Sequence, residues 1–433
     1  MNSTIYAPSS ALGGAIAVIR VSGELTRQIC NTLLSRPVTD RPGRLVHCVI
    51  RENSEDIDDC MAVFFAAPHS YSGEDMLELH CHGGMATVSA VLAALSRTGA
   101  IPAEGGEFTK RAYLNGKMEL SRAEAVMDLV TAHAQGSRKA ALKQLQGGLE
   151  EKVRKAEELL LNALSSLDAA IDYPEEMEAE AEAEVPRLLS EASLLLTAWI
   201  EEGRKGKVLR NGMRITLCGR PNVGKSSLLN CLLGEERAIV TSVPGTTRDI
   251  LDEETSFSGV PVRLIDTAGI RDACDITEQS GVARSKKALE SADLVYLLLD
   301  GTMPLQEEDR ELLALTEPMK RILIRTKADL PASDADFGEV RISTVTGEGI
   351  AALKARTLAL AGPGDSDGSI TNERHVYALE KAFKAVSEAL LTDEPDCCAT
   401  DIRDALHALG SISGRDADEA VIDKIFSRFC VGK

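Results

Sequence analysis

One short stretch limits the folds open to this chain more than any other. Gly219-Arg-Pro-Asn-Val-Gly224-Lys225-Ser226 follows an apolar run, Arg214–Cys218, and leads into helical periodicity. A strand, then G-x-x-x-x-G-K-S, then a helix is the context of a phosphate-binding loop. The glycines let backbone N–H groups close around phosphate oxygens. Lys225 offsets the charge of β- and γ-phosphates, and Ser226 offers a hydroxyl to Mg²⁺. Further apolar runs at Val262–Ile265, Leu294–Leu299 and Ile322–Arg325 alternate with helical segments. That alternation predicts an α/β domain with a mostly parallel sheet.

The later pieces fall in the order a GTPase requires. Gly245-Thr246-Thr247-Arg248-Asp249 supplies a switch threonine, and Thr247 is the choice for the second Mg²⁺ hydroxyl. Asp266-Thr267-Ala268-Gly269 follows an apolar strand. Asp266 can hold Mg²⁺ through water, and the Gly269 amide can sense a γ-phosphate. Thr326-Lys327-Ala328-Asp329 ends another strand. A carboxylate at Asp329 can accept from both the guanine N1–H and the 2-amino group. Adenine lacks that donor pair and would leave Asp329 unpaired, so it should be rejected. The Lys327 stem can lie along the base, and Ser343-Thr344-Val345 fits the last base-contacting loop. Three departures from a Ras-like pattern stand out. Ile270 occupies the place of a water-orienting Gln. Thr326 replaces the usual Asn, keeping a hydroxyl but losing an amide, which predicts weaker guanine affinity. Asn222 sits in the loop beside no arginine finger, and a monovalent cation held by Asn222 and switch carbonyls could fill that electrostatic role.

The rest of the chain is of other kinds. Its 433 residues carry 48 Lys+Arg against 67 Asp+Glu, a net charge of −19, with 3% aromatics. Phosphate affinity comes from clustered cations and base stacking from aromatics, so a broad nucleic-acid platform is not expected. The longest apolar runs fall far short of the roughly 20 residues of a membrane span. The N-terminus lacks a basic region followed by an apolar one, so no signal peptide is read and a cytoplasmic location is expected. Ten scattered cysteines suggest reduced thiols. Residues 1–118 mix strands (Ala15–Val21, Met61–Ala66, Met76–Cys81) with a helix at Met85–Ser96, an α+β pattern. Ser121-Arg-Ala-Glu124 reads as a capping box opening a helical stretch to Ile171, softened at Gly136 and Gly147–Gly148. Asp172-Tyr-Pro174 should end it. Glu175–Val185 reads as a solvated acidic loop or helix start, and helix resumes at Pro186–Glu202. After a linker near Ala361–Ser369, residues 372–433 are helical again. Helices on both sides of the α/β domain would then pack together, with that domain inserted between them.

These residues resemble the MnmE (TrmE) family of tRNA-modification GTPases, and the resemblance covers nearly the whole chain. Beyond the nucleotide motifs it rests on Ser70-Tyr-Ser-Gly-Glu-Asp75, Leu77-Glu-Leu79 with His82-Gly-Gly84, and Gly106-Glu-Phe-Thr-Lys-Arg-Ala-Tyr-Leu-Asn-Gly-Lys117. Thr371-Asn372 with Arg374-His375 and the terminal Phe429-Cys-Val-Gly-Lys433 complete it. The resemblance implies an N-terminal tetrahydrofolate-binding and dimerisation domain (1–118), a helical domain in two parts (119–209 and 363–433) and an inserted GTPase domain (210–362). It implies a homodimer whose GTP hydrolysis is potassium-dependent. It also implies a flavoprotein partner, MnmG (GidA), bringing FAD and NADH. With it, an aminomethyl or carboxymethylaminomethyl group is built on C5 of the wobble uridine of certain tRNAs. A 5-formyl- or 5,10-methylene-tetrahydrofolate supplies the carbon.

Carried over residue by residue, Asn222, Thr241, Val243 and Thr246 would surround K⁺, while Ser226 and Thr247 would hold Mg²⁺. Glu278 would orient the attacking water indirectly. The GTP-contacting set is then Asn222, Val223, Gly224, Lys225, Ser226 and Ser227, with Thr241, Ser242, Val243, Pro244, Gly245, Thr246 and Thr247. To these are added Asp266, Thr267, Ala268, Gly269, Thr326, Lys327, Ala328, Asp329, Ser343, Thr344 and Val345. Arg20, Glu78, Lys117 and Lys433 would bind the folate, whose pterin edge suits a carboxylate and whose glutamate tail suits cations. Cys430 is either a small buried apolar residue, the usual fate of a free cysteine, or a thiol acting near the folate or the tRNA base. Two other readings compete. An Era-type ribosome-assembly GTPase predicts a basic RNA module after the G domain, which residues 372–433 lack. A folate-binding scaffold would use its G domain only to signal.

Overall fold

A computed structural model describes residues 3–234, 252–266, 289–332, 338–362 and 369–432. Its contacts divide the chain into two compact units, Met1–Met127 with His407–Lys433, and Asp128–Leu406.

The first unit is built on strands β1 (Ile5–Pro8), β2 (Ile16–Ser22), β3 (Val46–Glu52), β4 (Glu55–Phe65), β5 (Met76–His82) and β6 (Ile101–Pro102), with helices α1 (Thr26–Leu33), α2 (Met85–Arg97) and α3 (Glu107–Leu114). The sheet order is β3-β4-β5-β2-β1-β6. Neighbours are antiparallel except β1 and β6. Side chains alternate along each strand. Ala17, Ile19 and Val21 of β2 and Leu77, Leu79 and Cys81 of β5 therefore share one buried face, covered by Ile29, Cys30 and Leu33 of α1 and Val88, Val91 and Leu95 of α2. The intervening residues, Arg20, Glu78 and His80, fall on the other face, with Arg20 directly opposite Glu78. The described cysteines are free thiols, and burial pushes the Cys30 thiol up to about 12.

A buried guanidinium ties this unit together. Arg111, 1% exposed, reaches from α3 to Glu74 Oε2 at 3.1 Å and to Glu107 Oε1 at 2.8 Å, and donates to the Ser3 carbonyl at 2.8 Å. Ser22 donates to the same Glu74 oxygen at 2.7 Å. Helix α4 (Leu120–Val130) begins two residues earlier than Ser121 as N-cap requires. The N–H groups of Arg122 and Ala123 close on the Glu119 carbonyl, so Ser121 and Glu124 lie inside the helix and are buried there.

In the second unit α5 (Gln135–Leu145), α6 (Gly148–Asp172) and α7 (Pro174–Asn211) lead into the second sheet. Buried residues on α6 recur as Leu149, Val153, Ala156, Leu160, Ala163 and Leu167, alternating steps of four and three that make one apolar stripe. One of the two readings offered for the acidic run is selected here. Pro174 does end α6, but α7 then runs unbroken through the acidic stretch and across Pro186. Glu and Ala are strong helix formers, and Ala181, Val185, Leu188 and Leu189 bury one side of the segment. The break expected at Gly136 falls just before it, between α4 and α5; Gly136 itself lies in the first turn of α5, where its N–H donates to the Gly259 carbonyl at 2.8 Å. A Cβ there would sit 2.6 Å from that oxygen, so the glycine serves close approach.

The second sheet comprises β7 (Met213–Cys218), β8 (Asp252–Phe257), β9 (Val260–Asp266), β10 (Leu294–Asp300), β11 (Arg321–Thr326) and β12 (Val340–Arg341), with α8 (Lys225–Gly234), α9 (Glu307–Thr316) and α10 (Ile350–Ala361). The order is β12-β11-β10-β7-β9-β8. Every pair is parallel except the edge pair β8 and β9. After β7 the chain goes to β9 on one side and to β10 on the other, so a crevice opens at the carboxyl ends of these strands, where ligands bind in such sheets.

The chain then returns through α11 (Glu373–Ala389), α12 (Pro395–Ser413) and, in the first unit, α13 (Glu419–Phe426). Asn372 caps α11, accepting the Arg374 N–H at 3.0 Å. The returning segment packs against α7 at two glycines. A Cβ on Gly203 would sit 2.5 Å from Val376, and one on Gly206 only 2.0 Å from the Ile370 carbonyl. The helices before and after the α/β domain thus form one helical body. Among the described residues, no helix is long and apolar enough to cross a membrane. In an exposed helix Gly→Ala gains about 0.5–1 kcal/mol. Gly206→Ala should instead lower stability by about 1–3 kcal/mol, the usual cost of overpacking, and chemical denaturation of the full chain measures which sign holds.

Candidate nucleotide site

The phosphate loop joins the end of β7 to the start of α8. Gly219 has φ +154 and a Cβ there would lie 2.7 Å from the Leu298 carbonyl, so the chain can turn here only without a side chain. Gly224 has φ +104, and Asn222, exposed at the mouth of the loop, holds a left-handed φ of +61. Lys225 is the first residue of α8 and is 7% exposed; its Nζ donates to the carbonyls of Gly219 and Arg220, both at 2.8 Å. A helix N-terminus with a lysine folded over it is an anion site. Ser226 Oγ lies 3.3 Å from Asp266 Oδ2, at the end of β9. A hydroxyl and a carboxylate so placed are hard oxygen donors of the kind Mg²⁺ takes. The loop is anchored from outside by Arg220, whose Nε donates to Asp309 Oδ1 of α9 at 2.8 Å.

The residues expected to read the base stand at the end of β11, a parallel strand separated from β7 by β10. Thr326 is buried, and its Oγ1 lies 2.8 Å from the Val223 carbonyl and 3.2 Å from that of Leu299. The hydroxyl that replaces the usual amide thus bonds directly to the phosphate loop. Ala328 donates its N–H to Ile342 at 3.0 Å, and Ser343 Oγ donates to Asp329 Oδ1 at 2.6 Å. Ser343 also accepts the N–H groups of Val345 and Thr346, both at 3.2 Å. It therefore orients the Asp329 carboxylate and shapes the last loop together, while the Val345 side chain is exposed. Lys327 takes a left-handed φ of +59, and its Nζ meets Asp300 Oδ2 at 2.7 Å. Burial raises the Asp300 carboxyl, but hydrogen bonds from Lys327 and Thr302 outweigh it and hold the group below the usual carboxylate range. Asp300 escaped the sequence reading; its only signal was an acid at the end of an apolar strand, before a glycine.

Other expected positions fall outside the described residues. These are Thr241, Ser242, Val243, Pro244, Gly245, Thr246 and Thr247, then Thr267, Ala268, Gly269, Ile270 and Glu278, and finally Lys433.

In the first unit, Arg20 Nε donates to Glu78 Oε1 at 2.8 Å, and the Arg20 guanidinium lies 5.2 Å from the centre of the Tyr71 ring. His80 Nε2 is buried on the same face with no hydrogen-bond partner. Lys117 Nζ donates to the Pro68 carbonyl at 2.8 Å. The tail is docked: Phe426 and Phe429 pack with Leu120 and Ala123, the Gly106 N–H donates to the Cys430 carbonyl at 3.3 Å, and Val431 bridges Gly105. Cys430 itself is exposed, which removes the reading of it as a buried apolar filler. Gly432 lies so close to Pro8 that a Cβ would be 2.0 Å from its carbonyl, and Pro8 pairs with Ile19, next to Arg20.

Comparison with known proteins agrees along the full length. Residues 4–117 match the family described as GTP-binding protein TrmE N-terminus, and residues 120–430 match the MnmE helical domain. A tRNA modification GTPase MnmE of Natranaerobius thermophilus is 39% identical over 454 residues, 99% of either chain. Its counterpart in Geobacillus thermodenitrificans is 40% identical over 460 residues, again 99% of either chain. That of Syntrophus aciditrophicus is 40% identical over 456 residues, the whole of both. With identity at this level over nearly the whole of both sequences and two family domains in succession, this chain belongs to the MnmE (TrmE) family.

Proposed function

We propose that this chain is a GTP-hydrolysing tRNA-modification enzyme which, with a flavoprotein partner of the MnmG type, adds an aminomethyl or carboxymethylaminomethyl group to C5 of the wobble uridine of certain tRNAs. The observation that carries the GTP reading is the Thr326 bond to Val223, which joins a phosphate loop to a loop bearing an oriented carboxylate. In this reading Lys225 and the α8 N-terminus take the β- and γ-phosphates, and Asp329 takes the guanine N1–H and 2-amino group. Ser226, with Thr247, holds Mg²⁺, whose part is to neutralise charge on the phosphate oxygens. Asn222, exposed in the loop, fits as one oxygen ligand of K⁺, with Thr241, Val243 and Thr246 as the others. Glu278 orients water, replacing the Gln that Ile270 displaces. The homodimer, the residue bounds 1–118, 119–209, 210–362 and 363–433, and the cytoplasmic location belong to the same proposal.

The folate reading rests on the face that carries Arg20, Glu78 and His80. A carboxylate, an orphaned ring nitrogen and an aromatic ring stand together there, which suits a pterin edge and face. Arg20 and Glu78 pair with each other, so the ligand must compete for a carboxylate already partly satisfied. Lys117 and Lys433 would take the glutamate tail. Tetrahydrofolate would supply the carbon unit, and FAD and NADH would come with the partner. Cys430, exposed beside Gly106, is the thiol available to that chemistry.

Three measurements test this. Asp329→Asn should weaken GTP binding and raise affinity for xanthine nucleotides, because an amide donates to the xanthine carbonyl; an unchanged GTP/XTP preference in competition would rule out this loop as the base reader. GTP hydrolysis should run several-fold faster in K⁺ than in Na⁺ at matched ionic strength, since a fixed cation near the bridging oxygen stabilises developing charge; equal rates withdraw the K⁺ site. Cys430→Ser should leave GTP turnover intact and abolish wobble-uridine modification, read by mass analysis of tRNA, whereas full modification makes the thiol a bystander.

A further inference from the structure

We propose that Asp300 is a positioning residue for purine binding, acting through Lys327: its carboxylate holds the lysine ammonium so that the methylene stem is fixed across the face of the base. This rests on reading Thr326–Asp329 as the base-reading loop.

Three observations converge on the end of β10. The first is backbone strain. Lys327 has a φ of +59, a conformation that costs a residue other than glycine about 1–2 kcal/mol and persists only where the surroundings hold it. The second is the means of holding it. Asp300 is 6% exposed, and both its oxygens are engaged: Oδ2 by Lys327 Nζ at 2.7 Å, Oδ1 by the Thr302 N–H at 2.9 Å and the Thr302 hydroxyl at 2.6 Å. A carboxylate fixed on both sides cannot swing to follow a mobile lysine, so the lysine must come to it. The third is a second clamp on the same turn. The Gly301 N–H donates to the Thr326 carbonyl at 3.1 Å, and a Cβ on Gly301 would lie 2.5 Å from that oxygen. Residues 300 and 301 therefore grip the backbone before Lys327 and the tip of its side chain together.

The chemistry follows from what a lysine stem offers. Its methylenes present an apolar strip that any purine face can cover, but an unanchored stem loses that contact to rotamer freedom. Anchoring the ammonium removes the freedom before the base arrives. The contribution is thus blind to the base's edge, which Asp329 reads. Asp300 should control how tightly a purine nucleotide binds without affecting which purine is preferred.

Asp300→Asn should weaken GDP and GTP binding about ten-fold, the lower end for a hydrogen bond to a charged group. It should raise KM in proportion, leave kcat at saturating GTP within two-fold, and leave the GTP/XTP ratio unchanged. Lys327→Met, which keeps the stem and removes the ammonium, should lose a similar factor. The double variant should bind no worse than either single one, because both remove the same contact. The thermal midpoint of each variant is measured alongside, and the double variant also removes the buried carboxylate that Lys327→Met alone leaves without its ammonium partner. Losses that multiply in the double variant, a fall in kcat equal to the fall in affinity, or wild-type affinity in Asp300→Asn would each overturn the assignment. Asp329→Asn, run in parallel, separates the two readings. A switched GTP/XTP preference with uncoupled Asp300 and Lys327 sinks only the role of Asp300; an unswitched preference sinks the base-reading loop beneath it.

Discussion

The Thr326 hydroxyl, 2.8 Å from the Val223 carbonyl, joins the two halves of the nucleotide site. Val223 lies in the loop proposed to wrap phosphate, and Thr326 begins the loop proposed to read the base. They come from different parallel strands, and their separation fixes the distance between phosphate and purine sites. Because the contact is buried, water does not compete for it, and a lost bond would leave a desolvated carbonyl in the crevice. The loss of the usual amide at this position therefore does not loosen the joint between the loops. What the amide's absence changes is confined to contacts that only a longer side chain could make.

The first unit is organised around a charge instead. Arg111 is deep enough that its guanidinium must be neutralised and bonded to be tolerated there, and removal of one partner of such a pair typically costs 3–5 kcal/mol. Glu74 and Glu107 supply the neutralisation. They belong to the Ser70–Asp75 and Gly106–Lys117 motifs, whose contact with each other is not visible in the sequence. Much of their content is thus mutual support. What they position is the opposite face of β2 and β5, where Arg20 and Glu78 are paired across one register step.

The nucleotide half of the site was legible in the sequence because its chemistry is local: strand, loop and helix are consecutive, and each motif ends an apolar run. Strands such as Met76–Cys81 and Leu294–Leu299 were legible for the same reason, within a residue or so of their ends. The failures share a cause too. The acidic run from Glu175 could be read as a loop or as a helix start because its charges were visible and its buried stripe, Ala181 and Val185, was sparse. The break near Gly136 was legible but the reason for the glycine was not, because nothing local reveals that Gly259 presses against it. Ser121 looked like a cap because a serine three before a glutamate is ambiguous until the first turn's carbonyl is known. Asp300 was invisible because its partner lies on another strand. The pairing of Arg20 with Glu78 likewise needed the register, not the composition.

The glycines of α7 carry a consequence for the order of folding. Gly203 and Gly206 make a seat that Ile370 and Val376 fill, and the whole α/β domain is synthesised between the two. If that domain were still unfolded, bringing the returning segment back would close a very long loop, at an entropic cost on the order of 4 kcal/mol. Once folded, it delivers its exit near its entrance and the closure becomes nearly local. The outer helical body therefore gains its closure most cheaply on a folded insertion, and the two stabilities are coupled. A nucleotide that binds only the folded insertion adds its binding free energy to that coupling, so the ligand of the inner domain becomes, in effect, a folding cofactor for the outer one.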